Sequence, residues 1–548
     1  MSEDTLSRAT ILRESLKLDD DELDEDLGIA LTSLITTAVH DNEPQRPLKD
    51  IVEAVKKSQC ASSLEPLTII PVVIGCPDAS AQDLLGLIST DCSAKEVVMA
   101  VEEVMESLDQ RLQMHDEDDE ESADRPSLPR EIVRLIHMYE NAIPRLPRWK
   151  KSPSEAVETR LAELESVISL VSHDVSKAEA SVIMMAVASL TSALQEGADE
   201  KTKELLRHLV EETISAFANC IRDGIAKKAF AHNFSRLVVP QDDSSSSSSD
   251  TGFLTSTWIA LRALGVDAHY YQSRPSLVPL VLLAHDSTYT FSSETLTAFF
   301  PIVLSCIQSN IAIDEVLSIL LTSLAPLHAQ TPRPELSVDL IIPLVHLLPH
   351  LASNHSDPEV RHYTYRVLSL VLGLSPSPVR FRLLHDLLGD KDVSPHMRIA
   401  AVGLLKEAVL EGLAAKHKNM FASPLLLSTF GPIVLRPDPP DLFDTISLDD
   451  FLDSAEPLRM VESLSFYYVL LLRDAQSQTG IREEGSRNVV QRELLRPLRR
   501  RLEAWQKDLA AHAQGEDHEH DRAMQLGILD MWLERVQGAL DDLSSAKQ

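Results

Sequence analysis

The stretch Ser394-Pro-His-Met-Arg-Ile-Ala-Ala-Val-Gly-Leu-Leu-Lys-Glu-Ala-Val-Leu-Glu-Gly-Leu413 reads as a helix with a proline in its first turn. Thirty-seven positions earlier the chain runs DPEVRHYTYRVLSLVLGL over residues 357–374. Pro358 then corresponds to Pro395, Val360 to Met397 and Arg361 to Arg398. Proline suits the first helical position, where its missing N–H is one that would find no partner within the helix. Each of these helices follows another apolar helix across a short polar turn. DLIIPLVHLLPHLAS (339–353) leads through NHSD to Pro358, and SPVRFRLLHDLLG (377–389) leads through DKDV to Pro395. ETLTAFFPIVLSCIQS (294–309) with AIDEVLSILLTSLAPL (312–327) forms an earlier, more degenerate pair.

Paired helices recurring at this spacing cannot bury their apolar faces alone, and stacking on neighbouring pairs supplies the core. The reading is an all-α, HEAT/ARM-like α-solenoid of stacked helix pairs with acidic loops. An arginine at one fixed place in each pair is expected to act as a strut, pairing with an acidic group of the adjacent pair. The weaker alternative for Arg361 and Arg398 is a ligand contact.

Composition agrees with helices. The 548 residues are 44% hydrophobic but only 5% aromatic, with 17 glycines, which disfavours sandwiches and barrels full of tight turns. Five domains or segments are expected: a helical segment at 1–115, an acidic linker at 116–130 and helical repeats at 131–240. A Ser-rich linker at 241–252 (QDDSSSSSSDTG) then leads to HEAT-like repeats over 253–548. In the 154–173 helix, Val157, Leu161, Leu164, Val167, Ile168 and Val171 form one apolar stripe.

Charge narrows the partners. Fifty-one basic against 84 acidic residues leave a net charge of −33, a field that repels nucleic acid and attracts basic protein surfaces. The N-terminus, MSEDTLSRAT, is acidic where a secretory leader would be basic, and the longest apolar run, SFYYVLLL at 465–472, is too short to span a bilayer. Neither nucleic acid nor membrane is expected as a partner. The five cysteines (Cys60, Cys76, Cys92, Cys220, Cys306) form no CxxC and read as reduced thiols of a cytoplasmic protein, with the nucleus as a second compartment.

Catalytic signatures are missing: no GxxxxGK[ST], HExxH or GxSxG occurs. His518, His520 and Asp521 in GEDHEHD could catch a metal ion, but HxH in a charged loop reads better as a polar connection. The expectation is a protein with no enzyme activity, no cofactor and no metal, and a monomer.

The binding signal lies near the C-terminus. From Arg482 to Lys507 the chain carries eight basic residues against four acidic ones. Arg492, Arg496, Arg499 and Arg500 follow helical spacing opposite a stripe of Leu494, Leu498, Leu502 and Trp505. A cationic ridge on an acidic molecule suits an acidic protein partner; the plainer reading is a solvated face pairing with nearby carboxylates.

The succession PLLLSTFGPIVLRP (424–437), LRMVESLSFYYVLLLRD (458–474), QTGI (478–481) and ELLRPLRRRL (493–502) resembles the C-terminal region of the glomulin family. That family includes the plant aberrant-lateral-root-formation protein and fungal YAP-binding proteins. The matching block is 424–502, with motif positions Pro437, Arg459, Leu464, Asp474, Thr479, Gly480, Pro497 and Leu498. The resemblance implies a HEAT-like, non-catalytic adaptor that acts by binding. One branch masks the RING subunit of cullin-RING ubiquitin ligases. Another holds a stress-response transcription factor in the oxidative stress response, or associates with kinetochores. A partner of either kind is therefore an expectation, and its contact residues do not transfer.

Overall fold

The computed structural model describes residues 10–12, 14–16, 27–41, 44, 46–113, 128–146, 153–221, 224–237, 252–415, 418–512 and 517–545, with the side chains of 153, 156 and 510–521 excepted. The core of the acidic linker and nearly all of the Ser-rich linker lie outside the described residues. Among those described, helices and short turns account for the structure and no strand occurs. The fold is all-α, built as an α-solenoid.

Two compact units form. Unit 1 comprises 1–225 and 239–289, and unit 2 comprises 226–238 and 290–548. Helices of unit 1 begin with α1 (Leu27–His40), α2 (Leu48–Ser58), α3 (Pro66–Val73), α4 (Ala79–Asp91) and α5 (Ala94–Gln113). They continue with α6 (Leu128–Ala142), α7 (Pro153–Val171), α8 (Lys177–Leu194) and α9 (Glu200–Ala216). After α10 (Ile225–Asn233), which falls almost entirely in unit 2, come α11 (Gly252–Ala263), α12 (Ala268–Gln272) and α13 (Leu277–His285).

The contacts within unit 1 run two helices apart. One layer passes α1, α3, α5, α7, α9 and α13 in order, and the other passes α2, α4, α6, α8 and α11. This is the packing that stacked pairs require, because each helix buries its stripe against the equivalent helix of the next pair. The stripe of α7 is buried at Val157, Leu161, Leu164, Val167, Ile168 and Val171. Helix α8 is long and apolar enough by length and composition to cross a bilayer, and half of it is buried inside the unit, packed between α6 and α11. Its start is held by a capping box, in which Ser176 and Glu179 satisfy each other's backbone amides.

Unit 2 contains α14 (Ser293–Ser309), α15 (Ile313–Ala329), α16 (Val338–Asn354), α17 (Pro358–Gly373), α18 (Ser377–Gly389) and α19 (Pro395–Ala414). Each successive pair packs together, so the three helix pairs read from the sequence are present. Pro358 and Pro395 both occupy the first turn of their helices. Asp357 accepts from the Glu359 amide at 2.8 Å and caps α17.

The arginine strut is corrected. Arg361 donates to the carbonyl oxygens of His355 (2.7 Å) and Ser356 (3.0 Å), in the turn of its own pair. It satisfies backbone acceptors left over where α16 ends, and pairs with no acidic group of a neighbour among the described residues. Arg398 is half-buried, with its Nε lacking a hydrogen-bond partner. The repeat register is shared while the role is not.

Candidate protein-binding site

Beyond α19 the chain continues through α20 (Pro424–Val434), α21 (Leu442–Thr445), α22 (Leu448–Asp453) and α23 (Glu456–Arg473). Then come α24 (Glu484–Val490), a π-helical turn at Gln491–Leu495, α25 (Arg496–His512) and α26 (Asp517–Ser545). Helix α23 packs between α19 and α26, which explains why its apolar residues extend nearly all round it. Met460, Leu464, Phe466, Tyr467, Leu470 and Leu471 are buried.

The end of α23 is tied by two clamps. Asp474, itself buried, accepts from the amides of Gln478 (2.7 Å) and Thr479 (2.8 Å) and from the Thr479 hydroxyl (2.6 Å). A carboxylate spent on three donors is a strong turn former. Gly480 follows at φ +79°, in the left-handed region where a side chain would be strained. Arg482 then folds back, its Nε donating to the Leu471 carbonyl at 3.0 Å and its Nη1 to that of Ala475 at 3.3 Å. At the other end of α23, Arg459 bridges Glu456 (2.8 Å) and the Arg436 carbonyl (3.1 Å), beside buried Pro437.

These clamps shape a cleft of about 420 Å3 between α20 and the turn leading into α24. Its walls include Leu427, Gly431 and Leu435 on one side and Thr479, Ile481 and Val489 on the other. Gly431 is the informative wall residue. It sits inside α20, and a Cβ built there would meet nothing within 4 Å. A glycine in a helix interior is destabilising by about 1 kcal/mol relative to alanine, and no neighbour in the cleft requires it. Arg436 at the rim is held by Glu493 at 2.6 Å, which also takes Arg492 at 2.7 Å. A run of contacts therefore joins the cleft to the arginine ridge.

On the ridge, Leu494, Leu498, Leu502 and Trp505 are buried and Arg492, Arg496, Arg499 and Arg500 are exposed. Two of the four are engaged: Arg492 with Glu493, and Arg500 with Asp444 at 3.0 Å. Arg496 and Arg499 have no ion-pair partner among the described residues. Arg501, one position on, lies over the Trp505 ring at 5.0 Å and donates to the Ile446 carbonyl. Pro497 stands in the first turn of α25.

The family-motif positions are thus mainly structural. Leu464 and Leu498 are core, Asp474, Thr479 and Gly480 form the turn, and Arg459 braces the start of α23. Only Thr479 and Gly480 also face the cleft. Gly431, Leu435 and Arg436 were not singled out from sequence; the glycine inside PLLLSTFGPIV was the available signal.

Other sequence candidates fare as follows. The side chains of His518, His520 and Asp521 lie outside the described residues, and among those described no three metal-ligating side chains cluster. Cys60, Cys76, Cys92 and Cys306 are buried and Cys220 is half-buried. Burial, then the nearby Asp91, pushes the Cys92 thiol up to about 12, and burial with Glu315 pushes Cys306 up to about 11. Thiols so disposed are poor nucleophiles at neutral pH.

No curated protein matches the chain. Among solved structures, a circular tandem repeat protein with novel repeat topology and enhanced subunit contact surfaces is similar at 12% identity over 98% of each chain, with a TM-score of 0.21. Residues 314–532 match the family described as "Uncharacterised protein family, YAP/Alf4/glomulin". That span holds α17, α23, the clamped turn, the cleft and the ridge, so the likeness to this family lies where the candidate site is.

Proposed function

We propose that this chain is a non-catalytic adaptor whose C-terminal ridge and cleft cover an acidic face of a partner protein and keep other proteins from docking there. The match of residues 314–532 to the YAP/Alf4/glomulin family supports protein binding in general. The observation that carries the finer reading is the pair Arg496 and Arg499, exposed and without ion-pair partners among the described residues, on a chain of net charge −33. Unpaired cations in a negative field are disposed to meet carboxylates of a partner, giving a salt-sensitive association. Masking needs affinity alone and no bond-making.

The partner favoured by the family resemblance is the RING subunit of a cullin-RING ubiquitin ligase, met in the cytoplasm or nucleus. The test is a ubiquitin-chain assay with the cullin-bound RING subunit and the full chain. Chain formation should fall as the protein is titrated in, and Arg496→Glu with Arg499→Glu should relieve the block at least tenfold. Undiminished ubiquitination at saturating protein would reject the inhibitor. A stress-response scaffold would act by holding its partner, and the raised thiols of Cys92 and Cys306 are poorly suited to serve it as relay thiols.

A further inference from the structure

A second cleft, of about 330 Å3, opens in unit 1 where α4, α6 and α8 follow one another in the same layer. Gly86 forms part of its wall, in the interior of α4, and a Cβ added there would meet nothing within 4 Å. As at Gly431, the helix bears the cost of a glycine that no neighbour demands. The surrounding polar groups are fixed. Ser189 donates to Glu140 at 2.6 Å and His137 Nδ1 lies 3.0 Å from the other carboxylate oxygen. Asn141 donates through Nδ2 to the Ser89 hydroxyl at 3.1 Å, which leaves its Oδ1 to accept. Gln82 stands exposed at the edge with both amide functions.

We propose that this cleft is a binding site for an extended peptide segment carrying a lysine or arginine. Its volume is at the lower end of ligand pockets, ~300–1,000 Å3, and suits a few residues rather than a folded domain. The side-chain amides of Gln82 and Asn141 match the donor and acceptor of a peptide group. The open space over Gly86 lets a main chain approach the helix closely. Of the Arg134 and Glu140 side chains in the lining, only Glu140 faces solvent, with His137 beside it. Arg134 is 3% exposed and spends Nη1 on the carbonyls of Ile74 and Cys76, at 2.6 and 2.8 Å. The Glu140 side chain is 22% exposed, so the charge offered to a ligand is negative, in a molecule whose whole field draws cations. This site is separate from the arginine ridge and takes the opposite charge.

The test uses the full chain on an array of immobilised heptapeptides in two matched sets, centred on lysine or on glutamate. Lysine-centred peptides should bind preferentially. Gly86→Leu, which fills the cleft without altering any charge, should weaken that binding at least tenfold with an unchanged or higher Tm. Glu140→Gln should abolish the preference for lysine, and it decides the matter should Gly86→Leu fail to fold. Equal binding of both sets, undiminished binding by folded Gly86→Leu, or a lysine preference that survives Glu140→Gln would overturn the proposal. The first variant also separates the cleft from general attraction of basic peptides to an acidic surface.

Discussion

The hydroxyl of Thr479 donates to the buried carboxylate of Asp474 at 2.6 Å, and the Thr479 amide donates to the same oxygen at 2.8 Å. This pair closes the turn that places Thr479, Gly480 and Ile481 along the C-terminal cleft. Asp474→Ala removes an ionised acceptor and leaves two buried donors of Thr479 unsatisfied. A hydrogen bond to a charged group contributes about 1.5–3 kcal/mol, so the expected loss is ~3 kcal/mol of local stability. Hydrogen exchange at the Gln478–Ile481 amides should accelerate by two orders of magnitude while exchange in α17 stays as it was. Equal protection in variant and wild type would contradict the clamp.

Gly431→Ala is expected to act in the other direction. The added methyl meets nothing, and the helix gains ~1 kcal/mol of propensity. Thermal unfolding should show a Tm raised by a few degrees, whereas Gly431→Leu should keep the fold and obstruct the cleft. A lower Tm for the alanine variant would mean that the open space is not there.

Leu470 is fully buried in α23, the helix that α19 and α26 enclose. Leu470→Asp places an unpaired charge in that interior, where burial of an uncompensated carboxylate costs several kcal/mol. The C-terminal pairs should unfold, seen as early proteolysis within 456–545 and loss of protection there. A soluble variant with wild-type melting would show that α23 is not a core helix.

These relationships differ in how far residues announce them. The α16–α17 and α18–α19 pairs are legible because Pro358 and Pro395 punctuate apolar stripes of helical period, and both periodicity and proline act locally. The ridge is legible for the same reason: Leu494, Leu498, Leu502 and Trp505 fall on one face and the arginines on the other. The role of Arg361 was not, because the carbonyls of His355 and Ser356 that it satisfies are backbone atoms, with no residue type to mark them. The clefts are harder still. Gly431 and Gly86 sit in helices that would form without them, and only the distances to residues remote in sequence show that nothing fills the space above each. Asp474 and Thr479 are five positions apart, yet a buried acid beside a threonine becomes a turn clamp only once α23 is known to end there.

Acid should loosen unit 1 through Glu140. The hydrogen bond from His137, opposed by partial burial and reinforced by Ser189, holds its carboxyl below the usual carboxylate range. Its folded pKa therefore lies under the unfolded value, ~4.3 for glutamate. The ionised group contributes stability that is fully present above that unfolded value and is lost as pH falls through the folded one. Urea unfolding of unit 1, followed by exchange of α6 and α8 amides, should show wild type losing stability from about pH 5 downward. Glu140→Gln, which cannot titrate, should be less stable at pH 7 and should lose less on the same descent. Parallel acid limbs for the two proteins would mean that the hydrogen bonds from His137 and Ser189 do not favour the ionised form.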